Sequence, residues 1–137
     1  MLIVVDANVL CSALLAEGKT VDLLFSEQIE PIAPEMLFTE LKRHEEELLE
    51  KTKLSEEAFN ELLALFGKKI RVIPSNEFED RLHEANDLLK PHTKDTEYVA
   101  LALKFNCPLW SKEKLLKKLD RIKVLDADEV ANLIKSD

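Results

Sequence analysis

The feature that most constrains the fold is a set of short apolar runs separated by longer stretches with helical spacing. The runs cover residues 2–5, 31–33, 70–73, 108–111 and 122–125. They show little polar–apolar alternation, so neither face is set aside for water. Strands of that kind suit a parallel sheet covered on both faces. The segments between them predict helices over residues 9–16 and 20–28, from Pro34 through the charged stretch 42–51, from Ser55, from Ser75, over 93–105 and over 126–134. Pro34 suits a first helical position. Ser55 suits an N-cap, with Glu56 and Glu57 favoured at the positive helix end. Strands alternating with helices predict an α/β fold, a three-layer α/β/α sandwich around a central parallel sheet.

A length of 137 residues fits one domain, read here as residues 1–137. Hydrophobic residues make up 46%, enough for a core and against disorder. The net charge of -8 argues against non-specific coating of nucleic acid. It leaves room for an enzyme that grips a short stretch of RNA through a local basic patch. The two glycines, Gly18 and Gly67, lie too far apart for a P-loop or a dinucleotide fingerprint. Cys11 and Cys107 lack metal-ligand spacing and read as buried thiols. The first apolar run is too short for a signal peptide or a membrane span, which predicts a soluble, cytoplasmic protein.

Most of the 27 acidic residues are ordinary solvated charges, Glu45, Glu46 and Glu47 among them. Four are not placed as solvated charges should be. Asp6 follows the first strand, where open α/β sheets form sites, although the same position suits an N-cap. Glu40 lies three after Leu37 and four after Met36, on the border of an apolar helix stripe. A carboxylate there needs a partner, a metal or a water-filled cleft, unless it reaches out to bulk water. Asp95 opens an apolar helix, three before Tyr98 and four before Val99, where the helix dipole alone would also favour an acid. Glu113 follows Ser111, a candidate N-cap, and would fall in a first turn. A right-handed parallel sheet would bring all four to one crevice.

Four stretches carry a family resemblance. They are Val4-Val5-Asp6-Ala7-Asn8-Val9-Leu10, then Ala33-Pro34-Glu35-Met36-Leu37 through Thr39-Glu40-Leu41, then Lys94-Asp95-Thr96-Glu97-Tyr98-Val99-Ala100-Leu101-Ala102-Leu103, and Pro108-Leu109-Trp110-Ser111-Lys112-Glu113-Lys114. In this order and spacing the chain resembles the PIN-domain family over essentially its whole length. The resemblance implies a central parallel sheet and metal-dependent cleavage of RNA, as in toxins of toxin–antitoxin pairs and in RNA-processing nucleases. The family's acidic residues fall on Asp6, Glu40 and Asp95. Its fourth acid falls on Glu113, where the family more often has Asp, so the reach is one methylene longer. Asn8 and Ser111 match polar positions that flank the acidic site. Homodimerisation and, for a toxin, an antitoxin partner are expected on the same basis.

Crowded carboxylates repel one another, and a hard divalent cation relieves this. Mg²⁺ or Mn²⁺ prefers oxygen ligands and keeps several waters. His44, His83 and His92 are scattered and offer no zinc cluster, although His44, one turn beyond Glu40, could support the site. The expected roles are Asp6 and Asp95 as metal ligands and Glu40 as ligand or general base. Glu113 would orient waters or a second ion, while Asn8 and Ser111 hydrogen-bond the carboxylates or the scissile phosphate. Lys112 and Lys114 head a basic stretch and are expected to contact phosphates, although a solvated face would look the same. Trp110 reads as core or as a base-stacking ring. Two rivals stay open. One is a phosphatase with Asp6 as nucleophile, in which Asn8 stands where a second acid is needed. The other is a PIN-like module that binds RNA or protein without cutting.

Overall fold

Ile3, Val4 and Val5 have no solvent exposure, which places the first apolar run at the centre of the molecule. A computed structural model describes residues 1–15 and 18–135 and shows that run as the middle of a five-stranded sheet. The strands are β1 (Leu2–Val5), β2 (Glu30–Pro34), β3 (Arg71–Ile73), β4 (Leu109–Trp110) and β5 (Val124–Leu125). Their order is β3-β2-β1-β4-β5, and every neighbouring pair is parallel.

The helices are α1 (Ala7–Leu15), α2 (Lys19–Leu24), α3 (Met36–Arg43), α4 (Glu45–Thr52), α5 (Glu56–Lys69), α6 (Leu82–Leu89), α7 (Thr96–Phe105) and α8 (Ala127–Lys135). Ser55 caps α5 as expected, its Oγ accepting from the Ala58 N–H at 3.0 Å. Several boundaries differ from the sequence reading, and three of them matter here. Pro34 ends β2, opposite Ile73 of β3, instead of opening a helix. The long charged helix breaks at His44 into α3 and α4. Ser75 opens two short 3₁₀ turns, Ser75–Glu77 and Glu79–Arg81, before α6 begins. Ala16, the expected end of the first helix, lies outside the described residues.

The sheet separates two helical layers. Tyr98 to Ala102 on α7 are all buried, and this helix lies across β1, β2 and β4 and packs on α6. On the other side α1 packs against α2, α3 and α4, and α8 packs on α2. Right-handed crossovers account for the division. The chain steps one way from β1 to β2 to β3, then returns past β1 to reach β4, so the return helices α6 and α7 cover the opposite face. The result is the expected α/β/α sandwich. Trp110 is 1% exposed and belongs to the core. Cys11 and Cys107 are free and half-buried. Among the described residues no helix is long and apolar enough to cross a membrane.

This topology makes β1 the point where strand order reverses. The crevice outside the carboxyl ends of β1 and β4 is where such sheets bind ligands.

Candidate active site

Asp6 follows β1 and Ser111 follows β4. Val5 pairs with Trp110 in the register of these strands, so the next residues, Asp6 and Ser111, emerge side by side. Ser111 is fully buried and its hydroxyl hydrogen-bonds the Asp6 carboxylate. Its Oγ also accepts from the Glu113 N–H at 3.0 Å. Asp6 Oδ1 accepts from the Val9 N–H at 3.1 Å, which caps α1. The two roles left open for Asp6 are therefore compatible: the carboxylate caps the helix and also lines the crevice.

The electrostatics of Asp6 are unusual. It is 3% exposed, and none of the ion pairs among the described residues involves it. Burial pushes its pKa up to about 6, against the hydrogen bonds from Ser111 and Val9, and the charges of Asp95 and Glu40 push the same way.

Glu40 reaches the crevice from α3. Its Oε1 accepts a hydrogen bond from the Tyr98 hydroxyl at 3.1 Å. Burial raises the Glu40 pKa, the Tyr98 hydrogen bond opposes this, and Asp95 adds repulsion. Tyr98 itself is 1% exposed, and burial together with Glu40 pushes its ionisation far up, so it stays a donor. Asp95 occupies the N-cap position of α7, yet its side chain caps nothing. Burial raises its pKa, Lys94 opposes, and Glu113 adds repulsion. Asp6, Glu40 and Asp95 thus line one cleft of about 330 Å³, with Asn8 exposed beside them.

A family model for the PIN domain matches residues 4–128 of the 137-residue chain. The chain belongs to the PIN-domain family. PIN domains are generally nucleases and typically use divalent metals such as Mg²⁺. No curated protein matches the chain.

In this PIN domain Glu113 stands apart from the other three acids. It lines a neighbouring hollow that shares Lys94 and Asp95 with the cleft, and its Oε2 lies 3.9 Å from Lys94 Nζ. The cations that line the acid cleft are Arg43 and Lys94. Lys112 instead donates to Ser12 Oγ at 3.0 Å and lines a separate hollow with Trp110 and Asp126. Lys114 begins a 3₁₀ turn, Lys114–Lys118, and is not among the cleft's lining residues. His44 lines the cleft with a half-exposed ring. Sequence reasoning misses Arg43 and Lys94. The signal that could have found Lys94 is its place directly before the acid of the most specific family stretch.

A donor set dominated by carboxylate oxygens, one of them deeply buried, matches the chemistry of a hard divalent ion that takes one or two carboxylates and keeps its waters. The match is to such an open, water-completed site. Among the described residues no group of three or more His, Cys, Asp or Glu side chains is placed so that it could hold a metal ion.

Proposed function

We propose that this PIN domain is a Mg²⁺- or Mn²⁺-dependent ribonuclease that hydrolyses phosphodiester bonds. The observation that carries the reading is Asp6: a buried carboxylate with no ion-pair partner among the described residues, at the sheet's switch point, in one cleft with Glu40 and Asp95. Such an arrangement costs stability and is tolerated where function requires it. Asp6 and Asp95 would hold the ion. When bound, the ion supplies Lewis acidity toward water and toward the phosphate oxygens.

The chain's own groups do the rest. Glu40, its pKa raised by burial, is the more basic for it and is suited to take the proton of the attacking water. Tyr98 fixes the carboxylate that does so. Ser111 orients Asp6, and Asn8 is placed to hydrogen-bond the scissile phosphate. Glu113 orients waters at the side of Asp95, or a second ion. Arg43 and Lys94 offset the repulsion between an acidic cleft and RNA. Lys112 and Lys114 would hold the strand beyond the cleft. A toxin role, an antitoxin partner and a homodimer belong to the same reading, and co-purification tests them.

One observation favours a second reading, a module that binds RNA or protein without cutting: among the described residues no group of three or more His, Cys, Asp or Glu side chains could hold a metal ion. The two are separated by incubating a mixed RNA pool with Mn²⁺, with and without EDTA, beside Asp6→Asn and Asp95→Asn. Cleavage abolished by the chelator and by each substitution supports the nuclease. Binding without cleavage supports the module.

A further inference from the structure

Beside the acid cleft lies a larger hollow of about 520 Å³. Lys94 and Asp95 line both, so the two concavities adjoin. The hollow differs in character from the cleft. Leu89 closes it from the end of α6, and Leu115, Leu116 and Leu119 close it from the segment after β4. Leu115 is 50% exposed, a large apolar side chain left in water by this fold. His92 and Thr93 add polar groups, and Lys94, Asp95 and Glu113 bring charge to the side nearest the cleft, so the leucines form an apolar wall opposite a charged rim. A volume of this size with that lining is typical of a site for a small ring system.

We propose that this hollow receives the base of a nucleotide adjacent to the scissile phosphate. The inference rests on the ribonuclease reading, which places a phosphate at Asp6, Glu40 and Asp95. A nucleotide alternates charge and apolar ring, and the two concavities alternate in the same way. Lys94 stands on their shared wall with 72% of its side chain exposed. Its contact with Glu113, at 3.9 Å, is loose and solvated, so the ammonium is available to a phosphate lying between the two. The leucines offer apolar surface to the faces of the base, and His92 and Thr93 offer hydrogen bonds to its edge. Among the described residues no Phe, Tyr or Trp lines the hollow and His92 supplies the one ring, so recognition comes mainly from apolar contact and edge hydrogen bonds.

The test is an amide-resonance titration of the whole chain in Mg²⁺ with adenosine 5′-monophosphate, beside ribose 5-phosphate. The mononucleotide is expected to move the resonances of His92, Thr93 and residues 115–119, and ribose 5-phosphate to leave them in place. Leu115→Asp should weaken mononucleotide binding by about tenfold or more by putting a charge into the apolar lining. Leu115→Ser, a milder change at the same exposed site, should weaken it less. In the cleavage assay both variants should change which positions of the RNA pool are cut. Equal shifts with the two ligands, or an unchanged cleavage pattern in both variants, overturn the proposal. So does concentration-dependent broadening of these resonances without nucleotide, which would make the hollow a self-association face. If the mononucleotide fills the hollow while the chain cuts no RNA, the nuclease reading fails and the base site stands. If RNA is cut but the hollow ignores the mononucleotide, the reverse holds.

Discussion

The Ser111 hydroxyl and the Asp6 carboxylate are hydrogen-bonded neighbours, each one residue beyond the end of an adjacent parallel strand. Neither residue is near the other in sequence. Their meeting depends on β4 pairing with β1 in a single register, and a slip of one residue would turn Ser111 to the other face of the sheet. The buried acid at the centre of the site is therefore tied to the topology of the whole sheet.

Asp6 links function to stability with opposite signs. Its pKa rises from the usual 3.8 to about 6 on folding, so the folded chain holds that proton more tightly than the unfolded one. The contribution is fully present below pH 3.8 and is lost as pH rises through about 6. Its size is on the order of 3 kcal/mol. Asp6→Asn removes this dependence while keeping an oxygen for the Val9 N–H. Thermal unfolding at pH 8 without added metal should show the variant about 5 °C or more above wild type, with RNA cleavage lost. A variant less stable than wild type at pH 8 would contradict the burial argument.

Tyr98→Phe removes the hydroxyl that donates to Glu40 at 3.1 Å. That hydrogen bond holds the Glu40 pKa down against burial, so its loss should raise the pKa further. The acidic limb of the pH–rate profile is expected to move to higher pH. The fold should lose about 1 kcal/mol, read from urea denaturation. An unmoved limb would remove Glu40 from the role of base.

Ser111→Ala removes a fully buried hydroxyl that serves both Asp6 and the Glu113 N–H. The expected cost is about 1–3 kcal/mol. Losing this hydrogen bond should also raise the Asp6 pKa, so metal binding followed by calorimetry should weaken most at low pH. Equal weakening at pH 6 and pH 8 would leave Ser111 with a packing role alone.

Lys94→Ala should weaken RNA binding and reduce the slope of log K against log salt by about 0.7, the value for one single-strand phosphate contact. Lys112→Ala and Lys114→Ala, which lie outside the acid cleft, should also lower the slope if they hold the strand beyond it. An unchanged slope for Lys94→Ala would place the substrate's phosphates elsewhere.

Much of this arrangement is legible in the amino-acid sequence. The apolar run at residues 2–5 has only one economical use, as the middle strand of a sheet covered on both faces, whereas 70–73 supplies an edge strand that leaves Arg71 and Val72 exposed. Helix phase alone marks Glu40 as an acid on an apolar border, and Tyr98 proves to be its partner from another helix. Local rules fail where a non-local pairing decides. Pro34 fits both a helix start and a strand end, and pairing with Ile73 settles the matter. Lys94 and Lys112 look alike in sequence, each beside an acid, but the loop before α7 turns one into the cleft while Ser12 holds the other elsewhere. The distance between Glu113 and Asp6 is likewise set by how the segment after β4 folds back.

The central claim is that Asp6 and Asp95 hold a divalent ion for RNA hydrolysis. The most direct measurement is anomalous diffraction from crystals soaked in Mn²⁺. A peak bridging the Asp6 and Asp95 carboxylates, lost in Asp6→Asn, is the predicted result. Saturating Mn²⁺ with no peak within ligand distance of Asp6 would contradict it.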